Sequence, residues 1–163
     1  MIRAMSEASA DRSSSLVIRR ALPGEADALT ALVLRSKAVW GYDAQFMRRA
    51  ASELVVSEQD IESRDIFVAQ AGEVAAGVAG VDHLAEPPEL DLLFVDPTHK
   101  GSGVGRALLR HALLAARRRG LGELAIVSDP HAEGFYLSQG ALRVGSQRSE
   151  STGRELPLMR IAT

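Results

Sequence analysis

The chain has 163 residues, of which 46% are hydrophobic and 25% are charged, a balance typical of one globular domain. The formal net charge of -2 gives no field that would attract nucleic acid, and the absence of cysteine excludes disulfides, thiolate zinc sites and a cysteine nucleophile. The sequence has no apolar run of about 18 residues, so we expect no membrane span and a soluble, cytoplasmic protein.

The first half of the chain predicts a strand, two helices and a hairpin after a flexible tail. Residues 1–14 are rich in serine and charge and lack periodicity, so we expect a flexible tail followed by a single domain at 15–163. The predicted elements are a strand at Leu16–Arg19, helices at Glu25–Lys37 and Asp43–Leu54, a capped helical turn at Ser57–Asp60, and hairpin strands at Ile66–Ala69 and Val74–Val81.

The second half predicts four more strands and two helices. Asp129 and Pro130 are typical of a helix start, since Asp caps a helix and Pro fits its first position. The whole order, βααβββαβαββ, is typical of an α/β (α+β) domain with a mixed sheet. The elements are strands at Glu89–Val95, Glu123–Val127, Ala141–Gln147 and Glu155–Ile161, and helices at Gly105–Arg119 and from Asp129 to Gly140.

Three glycines occupy every second position of a turn that connects a strand end to a helix start. The turn is Lys100-Gly101-Ser102-Gly103-Val104-Gly105. Glycine lets backbone N–H groups approach a ligand closely, and the first turn of a helix leaves unpaired N–H donors, so this turn favours a phosphate group. The residues match neither a P-loop nor the dinucleotide fingerprint, because Gly105 is followed by Arg106-Ala107. The alternative is an ordinary glycine-rich connection without a ligand.

Two segments together resemble the cofactor motifs of the GCN5-related N-acetyltransferases, the GNAT family. Residues 92–109 are similar to its acetyl-CoA motif, with Lys100 where Gln or Arg is usual. Asp129-Pro130-His131-Ala132-Glu133-Gly134-Phe135-Tyr136 is similar to its second cofactor segment, except that Asp129 replaces the usual Asn. We therefore expect Asp129 to cap a helix rather than contact the cofactor. The resemblance extends over roughly residues 16–161.

This resemblance implies a mostly antiparallel sheet flanked by helices and splayed between the fourth and fifth strands, where an acyl-CoA would lie. It implies an N-acetyltransferase that moves an acetyl group from acetyl-CoA to an amine of a small molecule or peptide. The sequence has no G-x-S-x-G motif, so direct attack in a ternary complex is expected. The implied cofactor-binding residues are Phe94, Val95, Lys100, Gly101, Ser102, Gly103, Val104, Gly105, Arg106, His131 and Phe135.

Four residues are candidates for catalysis. Tyr136 occupies the family's tyrosine position and is expected to protonate the departing thiolate, the alternative being that it only packs against the cofactor. Glu89 and Asp91 alternate on one strand and are predicted to share a face, with Leu90, Leu92 and Phe94 on the other. Either carboxylate could take the proton of the amine, or both could be merely solvated or paired with arginine. His83 is a further candidate base.

The acceptor site is expected in the loop after the first helix and near the last hairpin. Trp40 and Tyr42 offer an amphipathic wall, Asp43 could hold an ammonium group, and Arg154 could receive a carboxylate. The alternative for Trp40 is a place in the core. The four histidines show no metal-ligand spacing, so we expect no metal.

Two other classes of function remain open from the sequence. One is a non-catalytic acyl-CoA-binding sensor or regulatory module, in which Trp40 and Tyr42 would fill the cleft. The other is a structural domain that binds no cofactor. An exposed sheet edge would also allow a homodimer.

Overall fold

The computed structural model describes residues 15–163, and the predicted tail at 1–14 lies outside them. In this part of the chain seven strands and five α-helices follow in the order β1, α1, α2, α3, β2, β3, β4, α4, β5, α5, β6, β7. The strands are β1 (Leu16–Arg20), β2 (Asp65–Ala71), β3 (Val74–Asp82), β4 (Glu89–Val95), β5 (Glu123–Val127), β6 (Leu142–Arg148) and β7 (Glu155–Ala162). The helices are α1 (Ala26–Ala38), α2 (Ala44–Ala50), α3 (Glu58–Ser63), α4 (Val104–Arg118) and α5 (Glu133–Ser138).

The predicted order of elements is confirmed, with two local differences in the region before β2. The second predicted helix is shorter, because its end tightens into a 3-10 turn at Ala51–Leu54 that buries Leu54. The predicted helical turn is a full short helix, α3, because Ser57 and Asp60 form a reciprocal capping box at its start.

All seven strands form one sheet in the order β1-β2-β3-β4-β5-β7-β6. Every neighbouring pair is antiparallel except β4 and β5, which run parallel and are matched only at Glu89 and Ala125. One hydrogen bond, from the Ala125 amide to the Pro88 carbonyl at 2.8 Å, accompanies that match. Beyond it β4 and β5 separate. The predicted opening between the fourth and fifth strands is therefore confirmed.

Two apolar clusters hold helices against opposite faces of the sheet. The α4 face buries Leu108, Leu109 and Ala112 together with Leu90 of β4. The α1 face buries Leu29, Leu32 and Val33 together with Leu92 of β4. No helix in residues 15–163 combines the length and apolar character that a membrane crossing requires.

A β-bulge interrupts β4 at Asp91. Gly80 of β3 is matched with Leu92 and the next residue, Val81, with Leu90, so Asp91 is the extra residue. The bulge places Leu90 in the α4 cluster, whereas Leu92 and Phe94 pack on the α1 side. The prediction that these three share one face is therefore wrong, because strict alternation fails at the bulge.

Candidate active site

The separation of β4 from β5 opens a cavity of about 660 Å³. Its walls include β4, the end of β5 and the residues just after it, α5, and the end of α1 with the loop that follows. The predicted site residues that line it are Trp40, Glu89, Asp91, Phe94, Val95, Lys100, Gly105, His131, Phe135 and Tyr136. One cavity thus brings together residues predicted for cofactor binding, catalysis and acceptor binding.

The turn before α4 has the structure of an anion site. Gly101 and Gly103 have φ of 78° and 86°, a conformation that other residues rarely adopt. No side chain caps α4, and within residues 15–163 no acceptor pairs with the amides of residues 103–106. These amides carry the partial positive charge of a 15-residue helix, so the residues present fit the pyrophosphate of a coenzyme A.

The other predicted cofactor residues near this turn have distinct places. The side chain of Val104 is buried in the core, while Ser102 and Arg106 are exposed on the turn. A Cβ added at Gly105 would lie 3.4 Å from Val95, so a small residue lets α4 start close to the end of β4.

Lys100, Trp40 and His131 stack at one edge of the cavity. The Lys100 ammonium lies 4.1 Å from the centre of the Trp40 ring, whose other neighbour is the His131 ring, stacked at 4.9 Å. Trp40 remains 36% exposed, so the alternative that places it in the core is wrong.

Glu89 is a free carboxylate in the cavity wall. It is half-buried, and none of the described residues gives it a hydrogen bond or an ion pair. Burial raises its pKa, and the nearby charges of Asp91 and Asp82 raise it further, while Arg64 acts in the opposite direction. A carboxylate with a raised pKa and no partner has the properties of a general base.

Asp91 lies beside Glu89 but is engaged. One of its oxygens pairs with Arg64, and the other is buried without a partner in the described chain. Burial raises the pKa of Asp91 to about 6, against the opposing effect of Arg64. Arg64 also contacts Asp60 at 3.3 Å and Asp82 at 3.2 Å, so it joins the acids around β4 into one network.

Tyr136 of α5 is buried in the cavity wall. It is 7% exposed, and its hydroxyl makes no hydrogen bond with residues 15–163. Burial raises its pKa above the usual value for a phenol, so the group keeps its proton at neutral pH. A protonated phenol without a partner can donate to a thiolate formed beside it.

His83 lies away from this cavity. Its Nδ1 is 3.9 Å from the Asp65 carboxylate, which is buried under Arg20 and Arg119. The ring does not line the cavity, so the structure gives no support to His83 as the base.

Three residues predicted for the acceptor do not line the cavity. Asp43 caps α2, because its carboxylate accepts a hydrogen bond of 2.7 Å from the Phe46 amide. The Arg154 guanidinium lies over the rings of Tyr42 and Phe46, at 4.9 and 5.2 Å from their centres. Of the four residues predicted to bind the acceptor, Trp40 lines the cavity, whereas Tyr42, Asp43 and Arg154 do not.

The prediction that Asp129 caps the last helix is wrong. The helix α5 begins at Glu133, and Asp129 accepts hydrogen bonds from Lys37, from the Tyr42 hydroxyl at 2.8 Å and from the His131 amide at 2.9 Å. Burial would raise the pKa of Asp129, but Lys37 and the other donors outweigh it and hold the pKa at about 2. Contacts from distant residues thus override the local cap signal.

Comparison with known proteins decides the family. A family model described as an acetyltransferase (GNAT) domain matches residues 32–162. The chain belongs to the GNAT acetyltransferase family.

Solved GNAT structures have the same fold. A GCN5-related N-acetyltransferase from Rhodopseudomonas palustris superposes with a TM-score of 0.77 at 20% identity, over 92% of this chain and 97% of that one. The PaiA N-acetyltransferase of Thermoplasma acidophilum, solved with coenzyme A, gives a TM-score of 0.71 at 17% identity, over 91% of this chain and 99% of that one. At these identities the likeness shows the fold.

The N-alpha-acetyltransferase RimI of Mycobacterium tuberculosis is a relative in sequence. It is 38% identical over 85 residues, which are 49% of this chain and 53% of RimI. The chain spans about half the length of the curated relatives it matches.

Sequence reasoning missed the roles of three residues in or beside this GNAT cleft. Lys37 and Arg64 line the cavity, and no motif marks either of them. Each forms an ion pair with a distant residue, Lys37 with Asp129, 92 positions away, and Arg64 with Asp91, 27 positions away. Gly80 was missed because its role depends on pairing. A Cβ there would lie 2.9 Å from the Asp91 carboxylate, so the glycine makes room for the bulge.

Proposed function

We propose that this GNAT protein transfers an acetyl group from acetyl-CoA to an amine of a small molecule or peptide, by direct attack in a ternary complex. One observation carries the proposal. A single cavity is lined by residues of the anion-binding turn, by the unpaired carboxylate of Glu89 and by the unpaired phenol of Tyr136. These are the groups that amine acylation by a thioester requires.

The acetyl-CoA would be held at two places. The free amides of residues 103–106, with Lys100, fit the pyrophosphate. From Leu90 to Val95, β4 has no matched partner on its β5 side, so the backbone at Phe94 and Val95 is available to pair with the pantetheine arm as an added strand does. When bound, the cofactor supplies an activated acetyl group and a thiolate leaving group.

Two residues move protons in the proposed reaction. A lysine-like amine has a pKa of about 10.4 in water and must lose a proton to attack. Glu89 accepts that proton, directly or through a water, and the neutral amine nitrogen then bonds to the acetyl carbon as the carbon–sulfur bond breaks. Tyr136 donates its proton to the departing sulfur, and the proton that the acylated nitrogen still has to lose returns to the Tyr136 oxygen, directly or through a water.

The charge of the cavity favours a cationic acceptor. At the β4 end of the cavity Asp60, Glu89 and Asp91 surround one cation, Arg64, and Glu53 is a further acid of the wall, whereas the other two cations, Lys37 and Lys100, lie against Asp129 and Trp40. An amine with a second positive charge would be attracted to this end of the cavity more than a neutral amine. Diamines, polyamines and lysine-containing peptides are therefore the first acceptors to test.

The proposal predicts the pH dependence of kcat/KM. The base must be ionised, and burial raises the pKa of both Glu89 and Asp91, the latter to about 6. Activity is therefore expected to rise with pH above the usual titration range of a free carboxylate and then to level off, because the raised pKa of Tyr136 keeps the acid protonated. A rate that falls as pH rises from 5 to 7 would contradict the assignment.

Loss of the Lys100 ammonium should weaken cofactor binding. We expect Lys100→Met to raise the Kd for coenzyme A about tenfold, since a hydrogen bond to a charged group contributes about 1.5–3 kcal/mol. Calorimetry measures the Kd. Arg110→Met, which removes an exposed cation further along α4, is the matched control. Equal affinities for the two variants would remove Lys100 from the site.

The non-catalytic alternative is less well supported. It required Trp40 and Tyr42 to fill the cleft, whereas Trp40 lies at the cavity wall, Tyr42 is not part of that wall, and about 660 Å³ stays open.

A homodimer remains part of the proposal. The sheet ends at β6, where Leu142 and Val144 are 70% and 52% exposed, so this edge is available to a second copy.

The direct test of the proposal is release of free CoA from acetyl-CoA with a panel of amines, read by thiol titration and by the mass of the acetylated product. We expect release that depends on the amine. Tight coenzyme A binding without turnover across a broad panel would favour the sensor, and absence of binding at millimolar coenzyme A would favour a structural domain.

A further inference from the structure

The loop after α1 crosses the open side of the cavity. We call residues 39–43 the strap. Its Trp40 contacts residues from both sides of the β4–β5 opening: Lys100, which follows β4, and His131, which follows β5. The strap is thus placed to contact a ligand that enters the cavity.

The strap is fastened to the β5 side by a buried ion pair. Lys37, at the end of α1, pairs with Asp129, and their side chains are 14% and 12% exposed. The Tyr42 hydroxyl donates to the same carboxylate at 2.8 Å and lies 3.1 Å from His131 Nδ1. The pair and the hydroxyl therefore hold both ends of the strap against one residue.

The charges around this contact balance only when both partners are present. Asp129 faces Lys37 from α1, Tyr42 from the strap and His131 from its own turn. Lys37 otherwise faces the rings of Tyr42 and Phe46, at 5.1 and 5.9 Å. Removing either partner leaves a buried charge unpaired, which is far more costly than removing both.

We propose that Lys37 and Asp129 are positioning residues whose ion pair fastens the strap across the cavity and holds Trp40 at its mouth. The proposal rests on the proposed function for its catalytic consequence. The acceptor amine meets the strap, whereas the coenzyme A phosphates are held by the turn before α4. Loosening the strap is therefore expected to weaken acceptor binding about tenfold and coenzyme A binding by no more than twofold, since Trp40 lies against Lys100 while the free amides of residues 103–106 still hold the phosphates.

The position of the strap can be measured without any substrate. Trp40 is the only tryptophan, so its fluorescence reports on the strap alone. We expect Lys37→Met and Asp129→Asn each to raise the quenching of Trp40 by acrylamide about twofold, and the double variant to return it close to the wild-type value. Arg48→Met, on the exposed side of α2, is the control and should change nothing. If the single variants fold poorly, Tyr42→Phe takes their place as the test. It removes only the hydroxyl and should give a smaller rise in quenching.

Kinetics test the catalytic consequence. With the most active amine of the panel, Lys37→Met should raise the KM for the amine about tenfold, with kcat within threefold of wild type and the calorimetric Kd for coenzyme A within twofold. The double variant should recover the KM. Quenching and KM equal to wild type in a folded Lys37→Met, or no recovery in the double variant, would overturn the inference. If no amine is turned over, the proposed function fails while the fluorescence result still decides the role of the pair.

Discussion

Replacing Glu89 by glutamine is expected to lower kcat about 10²–10⁴-fold, the usual contribution of a general base. The reason is that glutamine cannot accept the proton of the attacking amine. The substitution keeps the size of the side chain and breaks no hydrogen bond or ion pair, because none of the described residues pairs with the Glu89 carboxylate. Steady-state kinetics should show the loss in kcat, with the Kd for coenzyme A near the wild-type value.

Two further variants separate Glu89 from its neighbours. Glu86→Gln removes an exposed carboxylate three residues earlier and should leave kcat unchanged. Asp91→Asn should cost less than Glu89→Gln, since Asp91 is engaged by Arg64. A large loss for Asp91→Asn beside a normal rate for Glu89→Gln would transfer the role of base to Asp91.

Replacing Tyr136 by phenylalanine is also expected to lower kcat about 10²–10⁴-fold, because the departing thiolate loses its proton donor. The phenol is buried and makes no hydrogen bond within residues 15–163, so removing the hydroxyl leaves no partner unpaired. The Tm should therefore stay the same or rise. Thermal unfolding and single-turnover kinetics measure the two effects separately.

The second tyrosine provides the control. Tyr42→Phe removes a hydroxyl that binds Asp129, so it should act on the KM of the acceptor and leave kcat within a few-fold. An unchanged rate in Tyr136→Phe would mean that Tyr136 only packs against the cofactor and that another donor protonates the sulfur.

The glycine-rich turn before α4 and its uncapped helix start were predictable from the sequence because their determinants are local. Glycines at 101 and 103 take the left-handed conformation, and the helix that supplies the free amides follows at once. The splay between β4 and β5 was reached only through the family resemblance, since a gap between two strands has no local pattern.

The contacts of the candidate site were only partly predictable, because they depend on pairing across the fold. The bulge at Asp91 is set by the register with β3, where Gly80 makes room for the carboxylate. The predicted cap at Asp129 failed for a similar reason. Lys37 lies 92 positions away in the sequence, and its ion pair with Asp129 is visible only once the end of α1 is placed against the residues that follow β5.

The central claim is that acetyl transfer takes place in the β4–β5 cavity, and a crystal structure with acetyl-CoA tests it most directly. We predict the pyrophosphate on the amides of residues 103–106, the pantetheine arm along Phe94 and Val95, and the thioester sulfur within hydrogen-bond reach of the Tyr136 hydroxyl. Acetyl-CoA bound outside this cavity, or a thioester remote from both Glu89 and Tyr136, would contradict it.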